Sequence, residues 1–269
     1  MKFLSPSEDE LVEVNIYNYN NQRLFENNNA FLFNGFFPNL AAELLRQKKS
    51  ISFLSRYNLE IANKYFPEYE THLHLVPPSL EKTNQSNQRS IRNIVYEGHA
   101  NFFSGIDLST RLICTMVCEN RGLESFISTH IEPSVRVPVQ FTSDFDHHIH
   151  DLPMHWESFY SKVQEEFKAC GGIDLSLTDD LDPRSTLIIN CSTSYHQPFF
   201  HKTFELLEGG ASFFGSTRNP YQDYFGLNNI ETFHATAIRN WSPFHPESYI
   251  NLALEQRLVG LLKRRFQFV

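Results

Sequence analysis

Residues 185–217, STLIINCSTSYHQPFFHKTFELLEGGASFFGST, decide the fold class of this chain. An apolar run, Thr186–Asn190, opens the stretch, a second one, Ala211–Phe214, comes near its end, and a helical segment, His201–Glu208, lies between them. Short apolar runs bounded by turn residues are typical of strands buried in a parallel sheet. Because a strand, a helix and a strand with short connections form a βαβ unit, the stretch predicts two parallel strands of one sheet.

A third strand of the same sheet is predicted upstream, where the apolar run Asn93–Tyr96 ends in a glycine and a histidine. Further helices are indicated by amphipathic patterns at 38–49, 157–170 and 247–266. We therefore predict an α/β fold, a three-layer sandwich with a mostly parallel sheet and helices on both of its faces.

Length and composition are those of a globular chain with a sizeable core. The chain has 269 residues, of which 41% are hydrophobic and 25 are Phe, more than a disordered chain would carry. The polar, turn-rich stretch 77–92 predicts a surface loop. We predict a single domain over 1–269, with this loop inside it.

Charge and patterning exclude several classes of partner. The formal net charge is −8, and a negative surface repels nucleic acid and anionic lipid. The sequence contains no run of 18 apolar residues and no apolar segment of the signal-peptide kind after its acidic start, so neither a membrane span nor a cleavable signal is predicted. We expect a cytoplasmic protein with reduced cysteines, or one that is exported without a cleavable signal peptide.

Two reactive side chains follow predicted strands. His99 comes three residues after the Asn93–Tyr96 run, and Cys191 directly follows Thr186–Asn190. Binding and catalysis concentrate beyond the carboxyl ends of parallel strands, so neighbouring strands would bring the thiol and the imidazole to one crevice. A nearby imidazolium lowers the pKa of a thiol and makes the thiolate nucleophilic.

Three segments around these residues resemble the caspase-like cysteine peptidase fold, which includes the gingipains, the CHAT domains and self-cleaving toxin domains. The first is IVYEGH at 94–99, the second is LIINCS at 187–192, and the third is LLEGGASFFGST at 206–217. The FFSGIDL segment at 102–108 also resembles the segment after the histidine in the toxin domains. In this family the strand-end histidine and cysteine form a catalytic pair.

The resemblance implies hydrolysis of a peptide or amide bond, with a protein or peptide as substrate and no cofactor. His99 would be the general base and Cys191 the nucleophile. Backbone N–H groups at Gly98 and Ser192 would stabilise the oxyanion, and Arg218 would line the substrate pocket. Because 92 residues (191 minus 99) separate the pair, more than is usual in the family, the resemblance also implies an insertion at 111–184.

Two alternative functions remain open at this point. The segment 144–155, DFDHHIHDLPMH, is dense in imidazole and carboxylate groups, which are ligands for zinc or iron. His148, His150 and Asp151 are the candidate ligands there, and a metal-dependent hydrolase or oxygenase would use them. A non-enzymatic protein that binds a partner through its aromatic surface is the second alternative.

Overall fold

A computed structural model describes residues 11–15, 18–19, 21–76, 90–99, 105–130, 136–140, 147–151, 165, 168–169, 171, 173–174, 181–191, 201–216, 221, 230–233 and 252–269. The chain divides into two compact units. The first unit comprises Met1–Glu81, Ser194–Phe199 and Pro220–Tyr224, and the second comprises Lys82–Thr193, Phe200–Asn219 and Phe225–Val269.

The first unit contains a four-stranded parallel sheet in which each strand pairs with the next one along the chain. Its strands are β1 (Val12–Val14), β2 (Ala30–Phe33), β3 (Ser50–Phe53) and β4 (Leu73–Leu75). Its helices are α1 (Gln22–Glu26), α2 (Pro38–Arg46) and α3 (Arg56–Tyr65). The helices alternate with the strands, as parallel connections require.

Phenylalanine fills the core of the first unit. The ring centroids of Phe33 and Phe37 lie 5.6 Å apart, and those of Phe33 and Phe53 lie 5.7 Å apart, both in edge-to-face geometry. Such pairs contribute about 0.5–1.5 kcal/mol each beyond the area that they bury. The aromatic content of the sequence is therefore used for packing in this unit.

The second unit contains a six-stranded parallel sheet and a separate two-stranded antiparallel ribbon. Its strands are β5 (Asn93–His99), β6 (Glu124–His130), β7 (Arg136–Gln140), β8 (His147–Asp151), β9 (Ile173–Asp174), β10 (Thr186–Asn190), β11 (Ser212–Ser216) and β12 (Ile230–Phe233). Its helices are α4 (Ile106–Glu119), α5 (His201–Glu208) and α6 (Leu252–Arg265). The ribbon consists of β7 and β8.

The strand order of the six-stranded sheet is β9-β6-β5-β10-β11-β12. Counted along the chain within this sheet, the order is 3-2-1-4-5-6, that of the Rossmann fold. The chain runs outward from β5 to one edge, returns to β10, and runs outward to the other edge. The point where this direction reverses lies between β5 and β10.

One core of the second unit packs α4 and α6 against the sheet. Ile94 and Tyr96 of β5 and Ile189 of β10 are fully buried in it, together with Met116 of α4 and Leu262 of α6. Because side chains alternate along a strand, Val95 belongs to a different cluster, which includes Phe126. The sheet is thus covered on both faces, as continuous apolar strands require.

The predicted α/β fold is confirmed. The strands predicted at Asn93–Tyr96, Thr186–Asn190 and Ala211–Phe214 are the adjacent parallel strands β5, β10 and β11, and the predicted helix His201–Glu208 is α5. The segment 111–184, predicted as an insertion, supplies β6 and β9 to the sheet. The single-domain organisation over 1–269 stays a prediction, as does the helix at 157–170, most of which lies outside the described residues.

A short 3₁₀ turn, Pro183–Ser185, leads into β10 and is capped by Asp182. The carboxylate accepts hydrogen bonds from the Arg184 N–H (3.2 Å) and the Ser185 hydroxyl (3.2 Å). We expect Asp182→Ala to lower the free energy of unfolding by about 1 kcal/mol, because a cap of this kind contributes that much. Urea denaturation checks this value, and Asp182→Asn, which keeps an acceptor oxygen, should lose less than half as much.

Of the helices in the described part of the chain, none combines the length and the apolar content that are needed to cross a bilayer.

Candidate functional site

The carboxyl ends of β5 and β10 form the candidate site. The two strands are neighbours in the sheet, with Thr186 opposite Asn93 and Ile188 opposite Val95, and the chain reverses its direction across the sheet between them. In open parallel sheets a crevice forms at such a switch point, and ligands bind in it. We call this place the switch-point crevice.

Gly98 lies in β5 beside the end of β10, where the packing leaves no room for a side chain. A Cβ atom on Gly98 would lie 2.7 Å from the Tyr96 hydroxyl and 3.3 Å from the Asn190 amide nitrogen. Both neighbours are buried, so neither can move into solvent without disturbing the core. A glycine therefore allows β5 and β10 to stay close at the crevice.

Gly215 plays a similar part on the other side of β10. It pairs with Asn190 in the parallel ladder, and a Cβ atom on it would lie 2.4 Å from the Asn190 carbonyl oxygen and 2.5 Å from the Phe213 ring. The first of these neighbours is backbone, which can move only if β10 and β11 separate.

Helix α4 begins close to the end of β10. Its N-cap is Gly105, at φ 67°, which has no side chain with which to cap the first turn. The Cys191 backbone N–H donates a hydrogen bond to the Ser109 hydroxyl in that helix (3.0 Å). The N-terminus of a helix carries partial positive charge and N–H groups that bind anions. The end of β10 is therefore tied to a turn suited to a phosphate group.

Glu97 is a buried carboxyl next to Gly98, with 3% of its surface exposed. It accepts a hydrogen bond from the Thr203 hydroxyl of α5, and its backbone oxygen accepts one from the Asn190 amide (2.9 Å). Burial raises the pKa of Glu97 to about 7, and the hydrogen bonds from Thr203 oppose part of this rise. A carboxyl that changes charge near neutrality thus lies beside the crevice.

The two residues of the sequence-predicted pair lie at the ends of neighbouring strands, and of their two side chains only that of Cys191 is among those described. Cys191 directly follows β10, is fully buried, and packs in the core with Tyr96 and Met116. His99 ends β5, and its side chain lies outside the described part of the structure. Ser192 and Arg218 lie outside it as well, so their roles stay predictions.

The metal-binding alternative falls on the antiparallel ribbon. His148, His150 and Asp151 belong to β8, paired with Val139, Val137 and Arg136 of β7. The segment 144–155 is thus in part a strand. Its side chains are outside the described residues, and among those that are described no group of three or more metal-ligating side chains occurs.

Sequence reasoning missed four polar residues of the site, Glu97, Ser109, Asn190 and Thr203. Glu97 and Asn190 gave a usable signal, because each interrupts an apolar strand near its carboxyl end. A buried polar group must find a hydrogen-bond partner, and a glutamate in a strand next to glycine is unusual in a core. Ser109 and Thr203 gave none, since hydroxyl residues are common in exposed helix turns.

The second unit also has a cavity of about 800 Å³ at the amino ends of its central strands. The residues that line it include Arg92, Asn93, Glu124 and Asp182. These residues lie at or before the amino ends of β5, β6 and β10. Ligands of parallel sheets bind at the carboxyl ends, so we assign the site to the switch-point crevice rather than to this cavity.

No protein-family model matches this sequence, and no curated protein matches it. Solved structures do. A structure of the GtfA/B complex matches with a TM-score of 0.52 and 15% identity over 91% of this chain and 49% of that chain. An α,α-trehalose-phosphate synthase (UDP-forming) from Burkholderia vietnamiensis matches with a TM-score of 0.53 and 8% identity over 97% and 67%. A TarM variant from S. aureus, in complex with fondaparinux, α-GlcNAc-glycerol and UDP, matches with a TM-score of 0.51 and 8% identity over 93% and 51%.

The predicted caspase-like fold is therefore wrong, and the cysteine peptidase function and hydrolase class that rested on it are wrong too. Gly98-His99 and Cys191-Ser192 carried the resemblance to the peptidases. A glycine and a polar residue at strand ends suit many α/β folds, so these short motifs do not distinguish between them. The metal-dependent and partner-binding alternatives gain no better support.

These three structures are glycosyltransferases of the GT-B fold. The chain spans about half the length of the GtfA/B and TarM chains that it matches. At 15% identity or less, the likeness is one of fold alone.

Proposed function

We propose that this chain binds a nucleotide-activated sugar at the switch-point crevice and takes part in glycosyl transfer. The observation that carries the proposal is the 3-2-1-4-5-6 order of the second sheet, combined with a helix, α4, that starts beside the crevice with a glycine as its N-cap. That combination suits a nucleoside diphosphate, because phosphate groups bind well at helix N-termini. The matched structures include a UDP-forming enzyme and a complex with UDP, so UDP is the nucleotide we propose.

A site for glycosyl transfer must stabilise the negative charge that develops on the leaving group. In glycosyl transfer the bond between the anomeric carbon and a phosphate oxygen breaks, a bond to an acceptor oxygen forms, and the acceptor's proton passes to a base. The leaving diphosphate carries the developing negative charge. The first-turn N–H groups of α4 would stabilise that charge, because they are fixed before the reaction starts.

Several sequence-predicted residues keep a role in this proposal. Gly98 would keep β5 and β10 close together beside the nucleotide, Ser192 would donate to it, and Arg218, two residues after β11, would pair with a phosphate. His99, the last residue of β5, would face the same ligand. Cys191 has a packing role, since it is fully buried among apolar side chains.

The acceptor and the cellular location are also proposals. A protein or peptide, the substrate class predicted from the sequence, is the acceptor that we propose. A cytoplasmic location, or export without a cleavable signal, stays as predicted.

We expect UDP to stabilise the protein. At about ten times its Kd, a ligand that binds only the folded state adds roughly 1.4 kcal/mol to the free energy of unfolding, which for a chain of this size raises the Tm by about 2–4 °C. Thermal unfolding with UDP, and with adenosine monophosphate for comparison, checks this expectation. Isothermal titration calorimetry supplies the Kd.

A pair of glycine variants locates the site. Gly98→Ala places a methyl group against Tyr96 and Asn190 at the crevice, with a nearest contact of 2.7 Å. Gly122→Ala places one against Val269 near the amino end of β6, with a nearest contact of 3.3 Å. We expect Gly98→Ala to weaken UDP binding about tenfold, or roughly 1.4 kcal/mol, and Gly122→Ala to leave it unchanged. Equal effects of the two variants, or no binding by the wild type, would overturn the proposal.

A further inference from the structure

Glu97 connects three elements at one point. Its backbone oxygen accepts a hydrogen bond from Asn190, the last residue of β10, and its carboxylate accepts one from the hydroxyl of Thr203. The Thr203 backbone N–H, in the first turn of α5, also donates to this carboxylate. One residue of β5 therefore holds the end of β10 and the beginning of α5, the two ends of the connection between them.

We propose that Glu97 is a positioning residue for the nucleotide site, and that the charge of its carboxyl controls the affinity of the switch-point crevice for a nucleoside diphosphate. The inference rests on the proposed function. Glu97 does not need to contact the sugar or the phosphates. It acts by fixing Asn190 and α5 and by placing a negative charge, or none, beside a site for an anion.

The surroundings of Glu97 leave its charge poorly compensated. On α5, Lys202 and the hydrogen bonds from Thr203 favour the ionised carboxyl, whereas Glu205 disfavours it. Burial also disfavours the ionised form, and its effect is larger than that of the favourable groups. β10 has no titratable side chain between Thr186 and Asn190, and β6 has only Glu124 at its amino end and His130 at its carboxyl end. The pKa of Glu97 is accordingly raised to about 7.

The charge of Glu97 therefore changes over the neutral pH range. Below pH 6 the carboxyl is protonated and the crevice has no buried negative charge on this side. Above pH 8 it is ionised, and a fixed negative charge in a region of low dielectric repels the diphosphate. We expect UDP binding to weaken as Glu97 loses its proton.

The experiment compares the Kd of UDP at pH 6 and pH 8.5 for the wild type, Glu97→Gln and Glu124→Gln. The terminal phosphate of UDP titrates in the same range, but this affects all three proteins alike, so the ratio of each variant's Kd to that of the wild type is the measure. Between pH 6 and pH 8.5, we expect the wild type to lose three- to tenfold more affinity for UDP than Glu97→Gln loses. This is roughly the effect of one partly screened charge. Glu124→Gln removes an exposed carboxyl at the other end of the sheet, and its ratio should stay constant.

Thr203 supplies a readout that a purely structural role would not move. Thr203→Val removes the hydroxyl that stabilises the ionised carboxyl, so the midpoint of the pH effect should shift upward, and Thr203→Ser should restore it. Amide hydrogen exchange in the first turn of α5, measured without nucleotide, should depend on pH in the wild type beyond the intrinsic rate and not in Glu97→Gln.

The two failures are distinguishable. If UDP binds but the ratio for Glu97→Gln does not change with pH, Glu97 has no positioning role and the proposed function stands. If UDP binds at neither pH, the proposed function fails, and the present inference fails with it even where hydrogen exchange shows that Glu97 holds α5.

Discussion

Gly215→Ala should destabilise this protein by roughly 3 kcal/mol or more, at the upper end of the range for overpacked cores. The added methyl group would lie 2.4 Å from the Asn190 carbonyl oxygen, and a backbone oxygen inside a ladder cannot rotate away as a side chain can. Relief requires that β10 and β11 move apart, which weakens their hydrogen bonds. Urea denaturation followed by circular dichroism gives the loss directly.

Gly260→Ala is the matched control for this substitution. Gly260 lies in α6, and the nearest atom to its new Cβ would be the Arg264 guanidinium, 3.7 Å away. Because alanine is favoured over glycine in a helix by about 1 kcal/mol, the control should gain stability. If Gly215→Ala were neutral, β10 and β11 would not be packed as closely as described.

A second large effect concerns stability as a function of pH. The pKa of Glu97 is raised from its ordinary value of 4.5 to about 7 by burial, so the folded state holds a proton that the unfolded chain releases. The resulting stabilisation is complete below pH 4.5 and is lost progressively as the pH rises to about 7. The loss amounts to roughly 3 kcal/mol.

Glu97→Gln isolates that contribution. The variant has no proton to release at this position, so its free energy of unfolding, measured relative to the wild type, should rise by roughly 3 kcal/mol between pH 4.5 and pH 7.5. Glu124→Gln, at an exposed position, should show no comparable divergence. Parallel urea curves at four pH values suffice, and a constant difference between wild type and Glu97→Gln would mean that Glu97 is solvated.

The sequence predicts the central strands and misses others for physical reasons. β5, β10 and β11 are apolar because they are buried on both faces, and this makes them visible. The stretch 108–126 has the pattern of one helix, whereas α4 ends at Glu119 and β6 begins at Glu124. Leu123 and Phe126 continue the apolar pattern past the turn, so periodicity alone hides the break at Gly122.

The sequence predicts that two central strands are neighbours, but it does not predict the chemistry at their ends. The sequence predicts that His99 and Cys191 lie at the carboxyl ends of neighbouring strands, and β5 and β10 are neighbours. The chemistry depends on the order of all six strands, and that order is set by long-range pairing that a single sequence does not reveal. A buried thiol and a strand-end histidine are compatible with many α/β enzymes, so their presence does not identify one.

The central pairing of the second sheet also bears on how fast this unit can fold. Asn190 contacts Glu97 across 93 positions of sequence, whereas in the first unit each strand pairs with its immediate successor. Loop-closure entropy must be lost before such distant contacts form, and chains rich in them fold slowly. We therefore expect refolding to be biphasic, with the first unit acquiring its sheet early and the crevice between β5 and β10 becoming competent for ligand only in the slow phase.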